Sequence, residues 1–148
     1  MNKGLFVGSF DPFTIGHASI VRRALPLFDH IIIGVGVNER KKCMLDAEER
    51  VRRIKRLYAD NPKIEVKAYS DLTIDFARRE QATYIIKGVR SVKDFEYERE
   101  QADVNRLLSG VETIFLYAEP QLSSISSSMV RELQHFGRDI LEFLPKGY

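Results

Sequence analysis

Short apolar runs alternate with helical patterns along the whole chain, and this alternation does most to narrow the folds available to it. Residues 31–37 are β-branched and apolar apart from two glycines, which is typical of a strand buried on both faces. Residues 46–58 carry apolar side chains at helical spacing, with Asp46 as a cap and Glu49 three residues later. Strands that alternate with helices form a parallel sheet covered on both sides. The sequence therefore predicts an α/β fold.

The remaining elements repeat the same alternation. Strands are expected at residues 5–7, 31–37, 64–69, 84–86 and 113–117, and helices at 17–28, 46–58, 74–79, 95–108 and 126–136, with a short helix or turn at 140–144. No repeat, low-complexity tract or Pro/Gly-rich linker divides the sequence, so residues 1–148 are expected to form a single domain. Ligands of such sheets bind beyond the carboxyl ends of the strands, where the strand order reverses. The candidate binding segments are therefore those that follow strands: 8–17, 37–45, 70–73, 87–94 and 118–128.

Composition excludes several classes of protein. The 23 basic and 21 acidic residues leave a net charge of +2, which does not indicate the clustered basic face of a nucleic-acid-binding protein. Cys43 is the only cysteine, which excludes an internal disulfide and a cysteine-based zinc site. No run of about 18 apolar residues is present, and the N-terminal apolar run is too short for a signal peptide. We expect a soluble, cytoplasmic protein that binds neither nucleic acid nor membranes.

The segment after the first predicted strand has the composition of an anion site. Gly8 and Gly16 let the backbone approach a ligand closely, and His17 falls at the first turn of a predicted helix. The free N–H groups of a helix N-terminus favour an anion, and a histidine there can donate a hydrogen bond to a phosphate oxygen. The alternative, and the more common role of a lone histidine, is that His17 caps the helix or fills the core.

Three other strand-end segments also suit phosphate. Residues 87–90 (Lys-Gly-Val-Arg) place two cations on either side of a glycine. Residues 122–128 hold three consecutive serines before a helix. Capping the helix requires only one of these serines, so the segment also fits an anion-binding nest. Residues 40–42 (Arg-Lys-Lys) either hold a phosphate or form a solvated charge run, and the acidic residues of 94–100 read mostly as a solvated helix face. These segments together favour a polyphosphate nucleotide with a second phosphorylated compound.

Common catalytic motifs are missing from the sequence. Gly34-x-Gly36 lacks the third glycine of the dinucleotide fingerprint, since position 39 is Glu. Neither a P-loop nor the G-x-S-x-G element of serine hydrolases occurs. The residue patterns alone go no further than phosphate binding.

Longer elements resemble a known family. Residues 8–12 (Gly-Ser-Phe-Asp-Pro), followed by Thr14-x-Gly16-His17, are similar to the T/H-x-G-H signature of the nucleotidyltransferase superfamily. Residues 87–98, which include Asp-Phe-Glu-Tyr-Glu, and residues 125–132, which begin Ile-Ser-Ser-Ser, resemble the bacterial phosphopantetheine adenylyltransferases more specifically. The resemblance extends over residues 3–145.

The resemblance implies a single Rossmann-like nucleotidyltransferase domain over residues 1–148. The implied reaction transfers the adenylyl group of ATP to 4′-phosphopantetheine, giving 3′-dephospho-coenzyme A and pyrophosphate, with Mg²⁺ as cofactor. A homohexamer and feedback binding of coenzyme A are implied as well. Because no carboxylate cluster indicates a metal site built by the protein, we expect Mg²⁺ to be held largely by phosphates and water.

The family's motif positions also imply site residues. His17 is the implied catalytic residue, and the implied ATP-binding residues are Ser9, Phe10, His17, Gly88, Val89, Arg90, Glu98, Leu122, Ser123, Ser124, Ile125, Ser126, Ser127 and Ser128. The implied acceptor-binding residues are Ser9, Lys41, Thr73 and Lys87. Ser9 stands where the family usually has Thr and keeps the hydroxyl. Lys87 stands where the family often has Arg, which keeps the charge but loses the bidentate fork.

Two alternatives remain at this point. Another small nucleotidyltransferase, such as a cytidylyltransferase that makes CDP-glycerol or a nicotinamide mononucleotide adenylyltransferase, shares the T/H-x-G-H element. A non-catalytic nucleotide-binding module of flavodoxin-like topology is less favoured, because a receiver-type domain needs an acidic cluster after its first strand and only Asp11 lies there.

Overall fold

Five parallel strands and five helices follow one another along the chain in the computed structural model, which describes residues Met1 to Tyr148. The strands are β1 (Lys3–Gly8), β2 (His30–Gly36), β3 (Ile64–Tyr69), β4 (Tyr84–Val89) and β5 (Glu112–Tyr117). The helices are α1 (Ile15–Ala24), α2 (Ala47–Leu57), α3 (Thr73–Arg79), α4 (Val92–Ser109) and α5 (Ser127–His135), with short 3₁₀ turns at Leu25–Leu27, Pro120–Leu122 and Leu141–Phe143. This is the predicted α/β fold. No helix combines the length and the apolar character needed to cross a membrane.

The strand order places the binding crevice. The order across the sheet is β3-β2-β1-β4-β5, and every neighbouring pair is parallel. β2 and β3 lie on one side of β1, and β4 and β5 lie on its other side. The order therefore reverses between β1 and β4, where Gly4 pairs with Ile31 on one side and with Tyr84 on the other. The carboxyl ends of β1 and β4 border the crevice that such a reversal opens, and the fold is Rossmann-like.

The core lies on both faces of the sheet, because successive side chains of a strand point to opposite sides. Phe6 packs on the face covered by α1 and α2, whereas Leu5 and Val7 pack on the face covered by α3. The first face buries Phe6, Phe10, Phe13, Ile20, Val21, Ala24, Phe28, Ile31, Ile33, Val35, Ile54, Ile64, Val66 and Ile86. The second buries Leu5, Val7, Ile32, Phe76, Ala77, Ala82, Ile85 and Val111. Both faces of β1 and β2 are covered, as their continuous apolar runs predict.

The end of β4 and the start of α4 differ from the sequence prediction. The strand predicted at residues 84–86 continues to Val89, so Lys87 and Gly88 lie within β4 rather than after it. They pair with Phe115 and Leu116 of β5 through the backbone, which does not depend on side-chain polarity. The helix predicted at 95–108 begins at Val92, because the preceding serine hydroxyl accepts a hydrogen bond from the backbone N–H of residue 94 at 3.1 Å.

The first helix also differs at both ends. Predicted at residues 17–28, it begins at Ile15, because the hydroxyl of Thr14 accepts a hydrogen bond from the backbone N–H of His17 at 3.3 Å. It ends at Ala24 and gives way to a 3₁₀ turn that contains Pro26. Proline has no N–H to continue the α-helical ladder, which explains the change. His17 is thus the third residue of the helix, within the first turn as predicted.

Candidate active site

A cleft of about 650 Å³ opens beyond the carboxyl ends of β1 and β4, where the strand order reverses. Most of the predicted site residues line it, although they come from five separate segments of the chain. They are Ser9, Phe10, His17, Lys41, Lys87, Gly88, Arg90, Glu98, Leu122, Ile125, Ser126, Ser127 and Ser128. The fold therefore brings together the strand-end segments that the sequence singled out.

Four of the predicted residues lie outside the cleft wall. The side chain of Val89 is buried at 2% exposure, so only its backbone could reach a ligand. Thr73 begins α3, with its hydroxyl 3.1 Å from the Tyr69 hydroxyl. The Ser123 hydroxyl donates to the carbonyl of residue 120 at 3.0 Å, a local bond of the 3₁₀ turn, and Ser124 does not line the cleft either.

The wall also contains residues that are not among the predicted site residues. Arg131 is the most prominent, because its Nη1 donates to the Asp11 carbonyl at 2.6 Å and its Nη2 to the Ser128 hydroxyl at 3.2 Å. The sequence could have indicated Arg131, because it lies four residues after Ser127 and therefore on the same face of the helix. Asp94 and Tyr97 of α4 line the cleft too, so this part of the acidic helix is not simply a solvated face.

His17 is held by a reciprocal cap at the start of α1. The backbone N–H of Thr14 donates to His17 Nδ1 at 2.9 Å, while the Thr14 hydroxyl accepts from the His17 N–H. Because Nδ1 accepts this bond, the ring proton of the neutral imidazole lies on Nε2. The two roles considered for His17 are therefore compatible: one edge of the ring caps the helix, and Nε2–H is left as a donor in a residue that lines the cleft.

Three aromatic rings keep this imidazole neutral. The centroids of Phe6, Phe10 and Phe13 lie 6.3, 5.0 and 5.3 Å from that of His17. Burial among these rings, together with the nearby positive charge of Arg90, lowers the pKa of His17 to about 4. At neutral pH the residue is thus an uncharged hydrogen-bond donor of fixed orientation.

Basic side chains of the cleft are paired with carboxylates of α4. Lys87 Nζ lies 3.6 Å from a Glu98 carboxylate oxygen, and Arg90 Nε lies 3.7 Å from one of Asp94. Asp94 also accepts a hydrogen bond from the Arg90 backbone N–H at 3.1 Å. Such partly exposed pairs stabilise by only about 0–1 kcal/mol. The two cations can therefore exchange these partners for phosphate oxygens at little cost.

The serine-rich segment presents the start of α5 to the cleft. Ser126 accepts from the Met129 N–H at 3.1 Å and so caps the helix, while the Ser127 hydroxyl donates to the Pro12 carbonyl at 2.8 Å. The second bond ties the helix start to the segment that follows β1. A helix N-terminus carries a partial positive charge and unpaired N–H groups, which favour an anion. The same cleft is thus lined by cations that follow or end two strands and by a helix N-terminus.

Comparisons with known proteins agree with this arrangement. The cytidylyltransferase-like family matches residues 5–133. Phosphopantetheine adenylyltransferase of Phocaeicola vulgatus is 54% identical to this chain, over 99% of it and 97% of the relative. The protein of the same name from Bacteroides thetaiotaomicron is 53% identical, with coverage of 99% and 97%. The chain belongs to the phosphopantetheine adenylyltransferase family. It is therefore an enzyme of the nucleotidyltransferase superfamily, as the sequence resemblance predicted.

Solved structures share the fold at much lower identity. A proposed nicotinate-nucleotide adenylyltransferase from Vibrio parahaemolyticus superposes with a TM-score of 0.71 at 19% identity, covering 99% of this chain and 96% of that one. A bifunctional NMN adenylyltransferase/ADP ribose pyrophosphatase from Francisella tularensis gives a TM-score of 0.73 at 15% identity, covering 97% of this chain and 44% of that one. These likenesses show the fold of the enzyme.

The carboxylates of the enzyme's cleft do not form a metal site of their own. No three His, Cys, Asp or Glu side chains lie close enough together to hold a metal ion. Asp94 and Glu98 face Arg90 and Lys87 instead. Mg²⁺ commonly keeps several waters and binds through substrate phosphates. A divalent cation in this cleft would therefore depend on ligands that a polyphosphate brings with it.

The shifted pKa of His17 predicts how the stability of the enzyme depends on pH. The unfolded-state pKa is about 6.5 and the folded-state value is about 4, so the unfolded chain binds a proton that the folded chain does not as pH falls through this window. As the pH falls from about 6.5 to about 4, protonation of His17 in the unfolded chain lowers the free energy of unfolding by up to about 3 kcal/mol.

His17→Gln isolates this effect, because glutamine can still accept from the Thr14 N–H but does not titrate. We expect the parent enzyme to lose about 2 kcal/mol more unfolding free energy than the variant between about pH 7.5 and about pH 4.5. Urea unfolding at the two pH values measures the difference. Equal losses in both proteins would contradict the neutral state of His17.

Proposed function

We propose that the enzyme transfers the adenylyl group of ATP to 4′-phosphopantetheine, giving 3′-dephospho-coenzyme A and pyrophosphate. One observation carries the proposal most: a neutral histidine donor, cations from the ends of two strands and a helix N-terminus line one cleft in a chain 54% identical to a phosphopantetheine adenylyltransferase. We place this activity in a single nucleotidyltransferase domain over residues 1–148 and in the cytoplasm.

The reaction needs charge neutralisation more than a general base. A phosphate monoester has a second pKa of about 6, so the acceptor phosphate is mostly dianionic and nucleophilic at neutral pH. One of its oxygens attacks the α-phosphorus of ATP, a new P–O bond forms, and the bond to the departing pyrophosphate breaks. Two anionic reactants must therefore be aligned, and the charge that grows on the α-phosphate must be stabilised.

We assign the stabilising contact on the α-phosphate to His17. Its Nε2–H is the free donor of a ring held by Thr14 and by the phenylalanines around it. Because the imidazole is neutral, it can donate this hydrogen bond without giving up its proton. A donor fixed in advance of the reaction needs no reorganisation as charge develops, which is how such groups lower a barrier.

The remaining residues divide between the two substrates. For ATP we propose Ser9, Phe10, Gly88, Val89 through its backbone, Arg90, Glu98 and residues 122–128, including Ser123 and Ser124. For the acceptor we propose Ser9, Lys41, Lys87 and Thr73. Lys41 and Lys87 line the cleft and suit the acceptor phosphate, whereas Thr73 lies outside the wall and suits the long pantetheine arm. Ser9 belongs to both sets because it follows β1, between the two halves of the sheet.

We propose Mg²⁺ as the cofactor, held by phosphate oxygens and water rather than by a set of protein carboxylates. When bound, it neutralises charge on the polyphosphate and on the departing pyrophosphate. The ion pairs that Asp94 and Glu98 make with Arg90 and Lys87 support this assignment.

A homohexamer is the proposed assembly, with coenzyme A as a feedback ligand of the same cleft, since it shares the product's pantetheine and adenylyl parts. Self-association is supported by α4, which has no buried residue and exposes Val92, Val104 and Leu107. Tyr117, at the end of edge strand β5, is exposed as well. Light scattering tests the hexamer: it predicts six times the chain mass of 17.1 kDa.

Substrate profiling tests the proposed reaction against its alternatives. Pyrophosphate release is measured with ATP, Mg²⁺ and 4′-phosphopantetheine, each omitted in turn, and we expect release only when all are present. CTP replaces ATP in one arm, and nicotinamide mononucleotide and glycerol 3-phosphate replace the acceptor in others. Release with one of these substitutes alone would favour a different nucleotidyltransferase. ATP binding without release in any arm would favour a non-catalytic module.

A further inference from the structure

Arg50 of α2 is a buried charge without an ion-pair partner. It is 2% exposed and takes part in none of the ion pairs of the chain. Its guanidinium donates instead to the carbonyls of Ser9 at 2.6 Å, Leu45 at 3.0 Å and Gly36 at 3.4 Å, and to Cys43 Sγ at 3.6 Å. Burying a charge without a counter-ion is costly, so the hydrogen bonds to these carbonyls hold the guanidinium in place.

The partners of Arg50 belong to three different parts of the site. Ser9 follows β1 and lines the cleft, and Gly36 ends β2. Cys43 and Leu45 belong to the segment between β2 and α2, which also carries Lys41 into the cleft wall. One planar side chain thus joins the loop that carries Lys41 to the ends of two adjacent strands.

A second buried group holds the same loop from the other side. Asp11 is 3% exposed, and its two carboxylate oxygens accept from the backbone N–H groups of Met44 at 2.8 Å and Leu45 at 3.0 Å. Leu45 is therefore held at its N–H by Asp11 and at its carbonyl by Arg50. The Asp11 carbonyl in turn accepts from Arg131, a residue of the cleft wall.

We propose that Arg50 and Asp11 are positioning residues: they fix residues 43–45 against the turn that holds Ser9, and so set where Lys41 meets the acceptor phosphate. Neither side chain lines the cleft, so both act through the loop. The proposal rests on the proposed function for the identity of the acceptor. The tether, meaning the hydrogen bonds that hold residues 43–45 to Arg50 and Asp11, can be measured without substrates and is independent of that function.

Two conservative substitutions weaken the tether while keeping size. Arg50→Lys keeps the positive charge but replaces the planar guanidinium by a single ammonium group. This ammonium cannot reach the carbonyls of Ser9, Gly36 and Leu45 together. Asp11→Asn replaces one carboxylate oxygen by an amide donor, so one of the two backbone N–H groups loses its acceptor. The matched controls are Arg52→Lys on the same helix and Asp60→Asn, both at exposed positions.

Steady-state kinetics separate positioning from general damage. In both variants we expect KM for 4′-phosphopantetheine to rise about tenfold or more, equivalent to about 1.4 kcal/mol, while KM for ATP stays within about threefold of the parent value. The control variants keep both constants. An unchanged acceptor KM, or an equal rise of both KM values, would overturn the proposal.

The single thiol gives a readout that needs no activity. Cys43 contacts both Arg50 Nη2 and the Lys41 carbonyl, so its labelling by a disulfide reagent reports opening of this loop. We expect labelling about tenfold faster in Arg50→Lys and Asp11→Asn than in the parent and the controls. Equal labelling rates would overturn the tether even if the enzyme uses another acceptor. If Arg50→Lys does not fold, Asp11→Asn carries both measurements.

Discussion

His17→Ala lowers kcat by about 10²–10³, the loss expected when one donor to a developing oxyanion is removed. The two KM values change little, because the hydrogen bond from Nε2 strengthens as charge grows in the transition state. Removing the ring also deletes half of the cap that it forms with Thr14, so the variant loses about 1 kcal/mol of unfolding free energy as well. Initial rates with both substrates varied give the kinetic constants.

His135→Ala is the matched control, since His135 is exposed on α5 and does not line the cleft. It should leave kcat within about twofold of the parent value, as most exposed substitutions do. A folded His17→Ala enzyme with the same kcat as His135→Ala would remove His17 from the mechanism. Circular dichroism and urea unfolding show whether each variant is folded.

Lys87→Ala lowers kcat/KM for 4′-phosphopantetheine by about 10–10², because a charge-assisted hydrogen bond contributes about 1.5–3 kcal/mol. The Lys87 ammonium lies at the cleft with only Glu98 as its partner, so the phosphate of the acceptor can take it over. Lys87→Arg keeps the charge and adds a bidentate fork, and we expect it to retain most of the activity.

Lys93→Ala tests whether the loss is specific to the cleft. Lys93 is exposed on α4 and does not line the cleft. Its removal changes the net charge by the same amount as Lys87→Ala but should leave kcat/KM within about twofold. Equal losses in the two variants would show that long-range attraction, rather than contact with the phosphate, explains the effect of Lys87.

The location of the cleft could be predicted from the sequence, because glycines, cations and serines are concentrated where the apolar strands end. Gly8 and Gly16, the cations around Gly88 and the consecutive serines interrupt apolar or helical patterns. A parallel sheet brings all of its carboxyl strand ends to one edge. The structure accordingly gathers thirteen of the predicted residues in one cleft wall.

Contacts that depend on tertiary structure could not be predicted in the same way. Arg50 lies four residues before Ile54 and so shares the buried face of α2, whereas Arg52 lies on the exposed face. This spacing does not show which groups a buried arginine bonds. Its partners Ser9 and Gly36 follow from the position of α2 against the ends of β1 and β2, which no local pattern records. The strand ending at Val89 was missed for a related reason, since β5 supplies its backbone partners.

The fate of the α-phosphorus of ATP distinguishes adenylyl transfer from hydrolysis and from binding alone. ATP labelled at the α-phosphate is incubated with enzyme, Mg²⁺ and 4′-phosphopantetheine, and the products are separated and identified by mass. The proposed reaction predicts that the label enters dephospho-coenzyme A in an amount equal to the pyrophosphate released, and that this transfer is lost in His17→Ala. Label found in AMP, or left in ATP while the folded enzyme binds both substrates, would contradict adenylyl transfer to this acceptor.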